Sequence, residues 1–131
     1  MISNPKYGWC NFELGDFKGS PSYLTDVPVD LLVAFIDLHA KGRGVAWFDE
    51  EGTEFTLVLT PYSMFIIEEK ESPVLHDFSE INIKDLEKEL IEDLEKDLNG
   101  WSEFITDDDR EEILQHSNEI RQKIVMLKEM I

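Results

Sequence analysis

The sequence predicts an α+β fold in which one antiparallel sheet of four to five strands, arranged as a meander, carries one N-terminal and two C-terminal helices. Apolar residues alternate with a period of two from Gly44 to Glu69, the densest apolar segment of the chain. Apolar residues recur with helical spacing once before this segment and twice after it. With 131 residues, 42% of them hydrophobic, the chain is expected to form a single α+β domain over residues 1–131.

The first predicted element is a strand from Tyr7 to Leu14, in which Phe12 and Leu14 are expected to face the core. The next residues, Gly15–Thr25, include two glycines, two serines and a proline. This composition is typical of a loop. Three large apolar residues within the loop are expected to hold it against the core.

The first predicted helix runs from about Val27 to Lys41. Asp26 can cap its N-terminus, and Pro28 lies in the first turn, where the missing N–H costs little. Gly42 can adopt the left-handed conformation that ends many helices. Apolar side chains on one side of this helix are expected to pack on the sheet.

The central segment predicts three strands, Val45–Phe48, Thr53–Thr60 and Tyr62–Glu68, and Val74–Phe78 alternates as a fourth strand would. The second strand is apolar on one face, as expected for a half-buried strand. The third strand is apolar on both faces. We therefore expect both of its faces to be covered, either by helices or by a second chain.

Two helices are predicted after the meander. Asn82 can cap the first of them. Asn99-Gly100 is a common helix stop, but Trp101 and Phe104 extend the same apolar face, so the helix is expected to continue through Gly100 to about Ile105. A glycine inside a helix costs only about 1 kcal/mol. Residues Thr106–Asp109 supply a cap and acidic groups for the start of the last helix, which should run nearly to the C-terminus.

The chain is strongly acidic, with 29 Asp and Glu residues against 12 Lys and Arg residues and a formal net charge of −17. Such a charge disfavours binding to nucleic acid and to anionic membranes. It would attract a basic protein, with an attraction that salt weakens. Alternatively, the charge serves only to keep a small protein soluble.

Several features predict a cytoplasmic protein with no membrane association. The single cysteine, Cys10, cannot form an intramolecular disulfide, and the first residues lack the basic and apolar segments of a secretory signal. No apolar run approaches the roughly 18 residues that would suggest a membrane span.

The candidate chemical groups do not form a known catalytic or metal-binding motif. His39, His76 and His116 lack the spacing of a metal-binding pair, and Cys10 is interpreted as a small buried hydrophobic residue. The acidic turns lack the ligand pattern of a calcium loop. The sequence therefore predicts no catalytic residue, cofactor or metal, although an enzyme built from dispersed residues stays a third hypothesis.

Residues 83–109 contain 11 acidic residues against three lysines, a net charge of −8. This stretch supports the first functional hypothesis, a non-enzymatic binding protein. In its most specific form the protein is an immunity-type inhibitor that covers the basic active site of a toxin such as a nuclease. The residues predicted to contact the partner are Glu87, Glu92, Glu95, Asp97 and Glu103.

The last helix supports a second hypothesis, a structural or regulatory module that self-associates as a homodimer. Its apolar positions are spaced by threes and fours, as in a coiled-coil seam, and residues 110–131 carry no net charge. The seam could equally pack inside the monomer. The candidate dimer residues are Ile113, Ile120, Ile124 and Leu127.

Two short segments carry a resemblance to known proteins. Residues Gly8–Phe17, GWCNFELGDF, and the following Pro21–Pro28, PSYLTDVP, resemble small acidic bacterial proteins of uncharacterised function. The similarity extends over about residues 7–105. Some short acidic α+β proteins of this kind are similar to the immunity proteins that neutralise bacterial toxins. The resemblance implies a binding function and contributes no catalytic motif.

Overall fold

A computed structural model describes residues 1–131 as an α+β fold with two antiparallel sheets and four helices. The elements in chain order are β1 (Ile2–Lys6), β2 (Trp9–Leu14), β3 (Phe17–Gly19), α1 (Val27–Lys41), β4 (Gly44–Asp49), β5 (Glu54–Leu59), β6 (Met64–Glu69), β7 (Val74–Asp77), α2 (Ile83–Lys96), α3 (Leu98–Ser102) and α4 (Arg110–Met130).

The predicted single sheet is in fact two sheets. Strands β4 to β7 form the expected meander, with neighbours in chain order, and β1 to β3 form a separate three-stranded sheet. The sequence indicated β2 but missed the strands on either side of it. In β1, Pro5 and a break in pairing register between Ser3 and Lys6 interrupt the alternation. Strand β3 has only three residues and lies inside the predicted loop.

Helix α1 has the predicted bounds and the predicted caps. The side chain of Asp26 accepts a hydrogen bond from the backbone N–H of Val29. Gly42 is left-handed, with a φ of 77°, and its N–H donates to the carbonyl of Leu38. Both end signals are local in sequence, which is why this helix could be located accurately.

The predicted continuous helix to Ile105 is wrong, because the chain breaks at Asp97. This residue leaves the helical conformation, with φ −144° and ψ 55°, and its side chain accepts a hydrogen bond from the N–H of Gly100. A Cβ atom on Gly100 would lie 2.5 Å from the Asp97 carboxylate. Gly100 thus allows the cap of α3 to close, and the next residue, Trp101, is fully buried in the core.

The core lies on one face of the four-stranded sheet, here called the inner face. Helix α1 packs on this face against β4 and β5. The three-stranded sheet covers the rest of it through the rings of Phe12 and Phe17, whose centroids both lie 5.0 Å from that of Phe55. The contact with α1 is so close that a Cβ on Gly44 would lie 1.8 Å from the Ala34 carbonyl oxygen.

The opposite, outer face of the four-stranded sheet is not covered by this chain. Phe65 and Ile67 in β6 point to this face and stay partly exposed, whereas Met64 and Ile66 point inward and are buried. The expectation that both faces of this strand are covered is therefore met only on the inner side.

Helix α4 packs along α1 and completes the core. The predicted start of this helix is confirmed, since Asp109 caps it through a 3.1 Å hydrogen bond from the N–H of Glu112. None of the helices is both long enough and apolar enough to span a membrane.

Candidate protein-interaction site

Glu87 is not part of an exposed acidic surface. Its side chain has no exposed area, and its Oε1 lies 2.5 Å from Nε2 of His39 in the last turn of α1. Burial raises the pKa of Glu87, and its Oε2 has no hydrogen-bond partner. The reason is helical spacing: Glu87 precedes the buried residues Ile91 and Leu94 by four and seven positions, so it lies on the buried side of α2.

Other acids of α2 are exposed or form contacts within the chain. Glu95 is exposed and pairs with Lys128 of α4 at 3.1 Å. Asp93 accepts a 2.8 Å hydrogen bond from the amino group of Met1, which Glu89 also contacts. Exposed Asp97 caps α3. The exposed residues Glu92 and Glu103 form no side-chain hydrogen bond or ion pair with the rest of the chain.

The predicted dimer seam packs inside the monomer. Ile120, Ile124 and Leu127 are buried in the same core as the strands and α1, and Ile113 is partly exposed. A second copy could reach these three buried residues only if α4 separated from the core. Self-association through this seam therefore competes directly with folding of the monomer.

Glu103 lies at a cavity of about 540 Å³ between the β1–β2 turn and the segment that follows α3. Aromatic rings and carboxylates share its wall, the combination found where proteins bind cationic groups. The lining residues are Pro5, Lys6, Tyr7, Gly8, Tyr23, Gly100, Glu103, Phe104, Ile105, Thr106 and Asp107. We call this cavity the acidic cleft.

Tyr7 is exposed at the rim of the acidic cleft in a strained conformation. It is 84% exposed and has a φ of +56°. Glycine adopts this conformation freely and Asn and Asp tolerate it, whereas other residues adopt it at a cost of roughly 1–2 kcal/mol. Tyr7 and Gly8 form a two-residue hairpin loop between the paired residues Lys6 and Trp9. Asn-Gly is the favoured sequence for such a loop when both residues have positive φ. The tyrosine is thus present despite its backbone cost.

The acidic cleft also contains a cation, the ammonium group of Lys6. The Lys6 Nζ atom lies 5.3 Å from the centroid of the Tyr7 ring, within cation–π range. Tyr23 packs against the turn on the other side, since a Cβ on Gly8 would lie 2.8 Å from its ring. The two tyrosines therefore present ring surface at a turn whose backbone is held by packing.

Each histidine contacts a carboxylate. His39 pairs with Glu87, His76 pairs with Glu68 at 2.5 Å, and His116 pairs with Asp26 at 2.8 Å. Sequence spacing could not indicate the first and third pairs, whose members are 48 and 90 positions apart. No group of three His, Cys, Asp or Glu side chains is arranged to hold a metal ion.

Cys10 is buried, and its Sγ lies 3.7 Å from the carbonyl oxygen of Pro21. Burial raises the pKa of its thiol to about 12. The reactive thiolate is therefore a negligible species near neutral pH. This agrees with the interpretation of Cys10 as a small buried hydrophobic residue.

His116 joins three helical elements. Its Nε2 lies 2.8 Å from an Asp26 carboxylate oxygen at the start of α1, and its Nδ1 lies 3.0 Å from the Ser102 carbonyl oxygen in α3. Both partners are acceptors, so both hydrogen bonds form when the ring is protonated. Burial lowers the pKa of His116, but the hydrogen bond and charge of Asp26, with the Ser102 hydrogen bond and the charge of Glu119, together outweigh burial and raise the pKa above its usual value of 6.5.

Comparison with known proteins identified no relative: no protein-family model, curated protein or solved structure matches this chain. The resemblance to immunity proteins therefore stays an expectation from the sequence.

The packing of α4 predicts a large loss of stability for one substitution and almost no change for its neighbour. Ile124→Glu should lower the free energy of unfolding by at least about 3 kcal/mol, because it places an unpaired charge in the core. Val125→Glu is the matched control, since Val125 is 54% exposed, and it should change stability by no more than about 0.5 kcal/mol. Urea unfolding checks both. A folded monomeric Ile124→Glu variant of unchanged stability would contradict the buried seam.

The His116 contacts predict that stability falls as pH rises above 6.5. Below pH 6.5 the ring is protonated in both the folded and the unfolded chain, and the stabilisation is fully present. Between the unfolded pKa and the higher folded pKa, the folded state binds more protons than the unfolded state. The free energy of unfolding therefore decreases as pH rises through this interval. Urea unfolding at a series of pH values above 6.5 should show that the free energy of unfolding of His116→Gln depends less on pH than that of the wild type. An equal slope in both proteins would rule out this role.

Proposed function

We propose that this protein is a non-enzymatic binding protein for a basic protein partner, and that it acts as an immunity-type inhibitor of a toxin such as a nuclease. The observation that carries the proposal is the acidic cleft, in which Tyr7 and Tyr23 share a wall with Glu103 and Asp107. The formal net charge of −17 favours the same class of partner.

The acidic cleft suits a lysine or arginine side chain of the partner. The tyrosine rings offer a face to the cation, and the carboxylates of Glu103 and Asp107 can accept its hydrogen bonds. The entering cation would replace Lys6 over the Tyr7 ring. Arginine fits best, because its planar guanidinium can stack on a ring and bind a carboxylate with two parallel hydrogen bonds.

The negative charge around the acidic cleft would attract a basic partner before the two proteins touch. Glu92, Glu103 and Asp107 are exposed and form no ion pair within the chain, so their carboxylates face solvent. Arg110 and Arg121 line a second cavity with Glu103 and Asp107 and offset part of this charge. A field of this sign accelerates encounter with a basic protein, and salt weakens it. An inhibitor that covers a basic active site benefits from both effects, since rapid binding limits the damage done by the free toxin.

The association rate is predicted to depend on these acids. The triple variant Glu92→Lys, Glu103→Lys, Asp107→Lys should bind its partner roughly tenfold more slowly at low salt, with a smaller salt dependence. The partner is first isolated from native cells with tagged wild-type protein and identified. Association of the purified proteins is then measured by stopped-flow fluorescence.

A variant with the same change in net charge serves as the control. Glu13→Lys, Glu51→Lys, Glu129→Lys alters three exposed acids outside the acidic cleft and should slow association less. If both triple variants slow association equally, the net charge alone acts and the acidic cleft is not the site. If neither triple variant affects binding, these acids do not attract the partner and the acidic cleft is not the site.

The strained backbone of Tyr7 predicts that its replacement will increase stability and weaken binding of the partner. Tyr7→Asn should raise the free energy of unfolding by about 1 kcal/mol, because Asn tolerates positive φ better than Tyr. The same substitution should weaken partner binding by roughly tenfold, because a ring is lost from the acidic cleft. Urea unfolding and calorimetry with the purified partner measure the two effects. A gain in stability with unchanged affinity would show that Tyr7 does not contact the partner.

A further inference from the structure

We propose that the outer face of the four-stranded sheet is a second docking surface, which takes an apolar protein surface bordered by lysine or arginine residues. The inference rests on the proposed function in one respect, the basic character of the partner. It uses residues remote in sequence from those of the acidic cleft.

Two rows of side chains cross the outer face in register. In one row Val45, Val58 and Phe65 lie opposite one another on β4, β5 and β6. In the next row Trp47, Thr56, Ile67 and Leu75 follow one another across all four strands. Trp47 is 44% exposed and Leu75 is 61% exposed. Contiguous exposed apolar side chains of this kind mark interaction surfaces more often than scattered ones do.

A third row on the outer face is acidic, and its charge indicates that the partner carries basic residues. Asp49 lies opposite Glu54, and Glu54 lies opposite Glu69, so three carboxylates stand side by side on neighbouring strands. Like charges in directly opposed positions destabilise a sheet. None of the three takes part in an ion pair within the chain. The opposite corner of the face carries another acid, Asp77, which lies opposite Phe65. Cations from a partner would relieve this repulsion.

A second copy of the chain does not meet this requirement. Two outer faces brought together would each contribute the same acidic row, and each chain carries a net charge of −17. An anionic membrane surface is repelled for the same reason. A protein surface with an apolar centre and basic borders satisfies both the apolar rows and the acidic row.

The probe for this surface is a synthetic amphipathic helical peptide with leucine on one face and lysine along both borders. A scrambled peptide of the same composition and a peptide with glutamate borders are the comparisons. Isothermal titration calorimetry at about 0.15 M salt measures affinity. Wild-type protein should bind the lysine-bordered peptide roughly tenfold more tightly than the scrambled one.

Substitutions on the face should weaken this binding specifically. The double variant Val58→Thr, Ile67→Thr keeps β-branched residues, and thus the strands, while removing apolar surface. It should lose roughly tenfold in affinity, whereas Val125→Thr on α4 should lose none. Glu54→Gln, Glu69→Gln should weaken binding by about threefold and reduce its salt dependence. The acidic-cleft variant Glu103→Gln, Asp107→Asn should bind the peptide as wild type does.

Four results would overturn the inference. The first is equal affinity for the lysine-bordered peptide and either comparison peptide, and the second is unchanged affinity in the folded double variant. The third is sedimentation of the wild type as a dimer that Ile67→Thr converts to a monomer, which would assign the face to a second copy. The fourth is flotation with phosphatidylcholine vesicles that Ile67→Thr abolishes, which would assign it to lipid. Loss of partner association in the acidic-cleft variants with any of these results would leave the proposed function intact.

Discussion

The inner face of the four-stranded sheet is the surface on which the rest of the structure depends. Helix α1 and the three-stranded sheet both cover it, the helix over β4 and β5 and the small sheet through Phe12 and Phe17. Helix α4 then packs along α1. Because every covering element lies on the inner face, the apolar side chains of the outer face stay partly exposed. The arrangement of the core thus creates the exposed surface.

Local signals account for the parts of the fold that the sequence predicted. Asp26 and Gly42 bound α1, and alternation in the meander gives its strands. The parts that were missed depend on contacts between distant residues. At Gly100 local signals conflict: Asp97 and Gly100 favour a new cap, whereas Trp101 and Phe104 continue the apolar face of α2, and in the structure the cap forms and Trp101 is buried in the core. Strand β3 is too short for periodicity to be detected and exists because it pairs with β2.

The structure separates acids that the sequence grouped together as partner-binding residues, and Glu87 shows why. A count of acids treats all carboxylates of α2 alike, but Glu87 is buried against His39 and Glu95 pairs with Lys128. Only the three-dimensional arrangement distinguishes them from Glu92, which has no such contact. The acidic cleft draws on separate segments, represented by Tyr7, Tyr23 and Glu103, so no single motif could have indicated it.

Unpaired acids also connect binding with stability. Burial, together with repulsion from Asp26 and Glu119, raises the pKa of Asp30 to about 6 where α1 and α4 meet. The row formed by Asp49, Glu54 and Glu69 adds repulsion on the opposite side of the sheet from the core. A chain with this excess of negative charge is destabilised by its own field. A basic partner neutralises part of that field, so its binding energy would include relief of repulsion already present in the free protein, and binding to the folded state alone stabilises the fold.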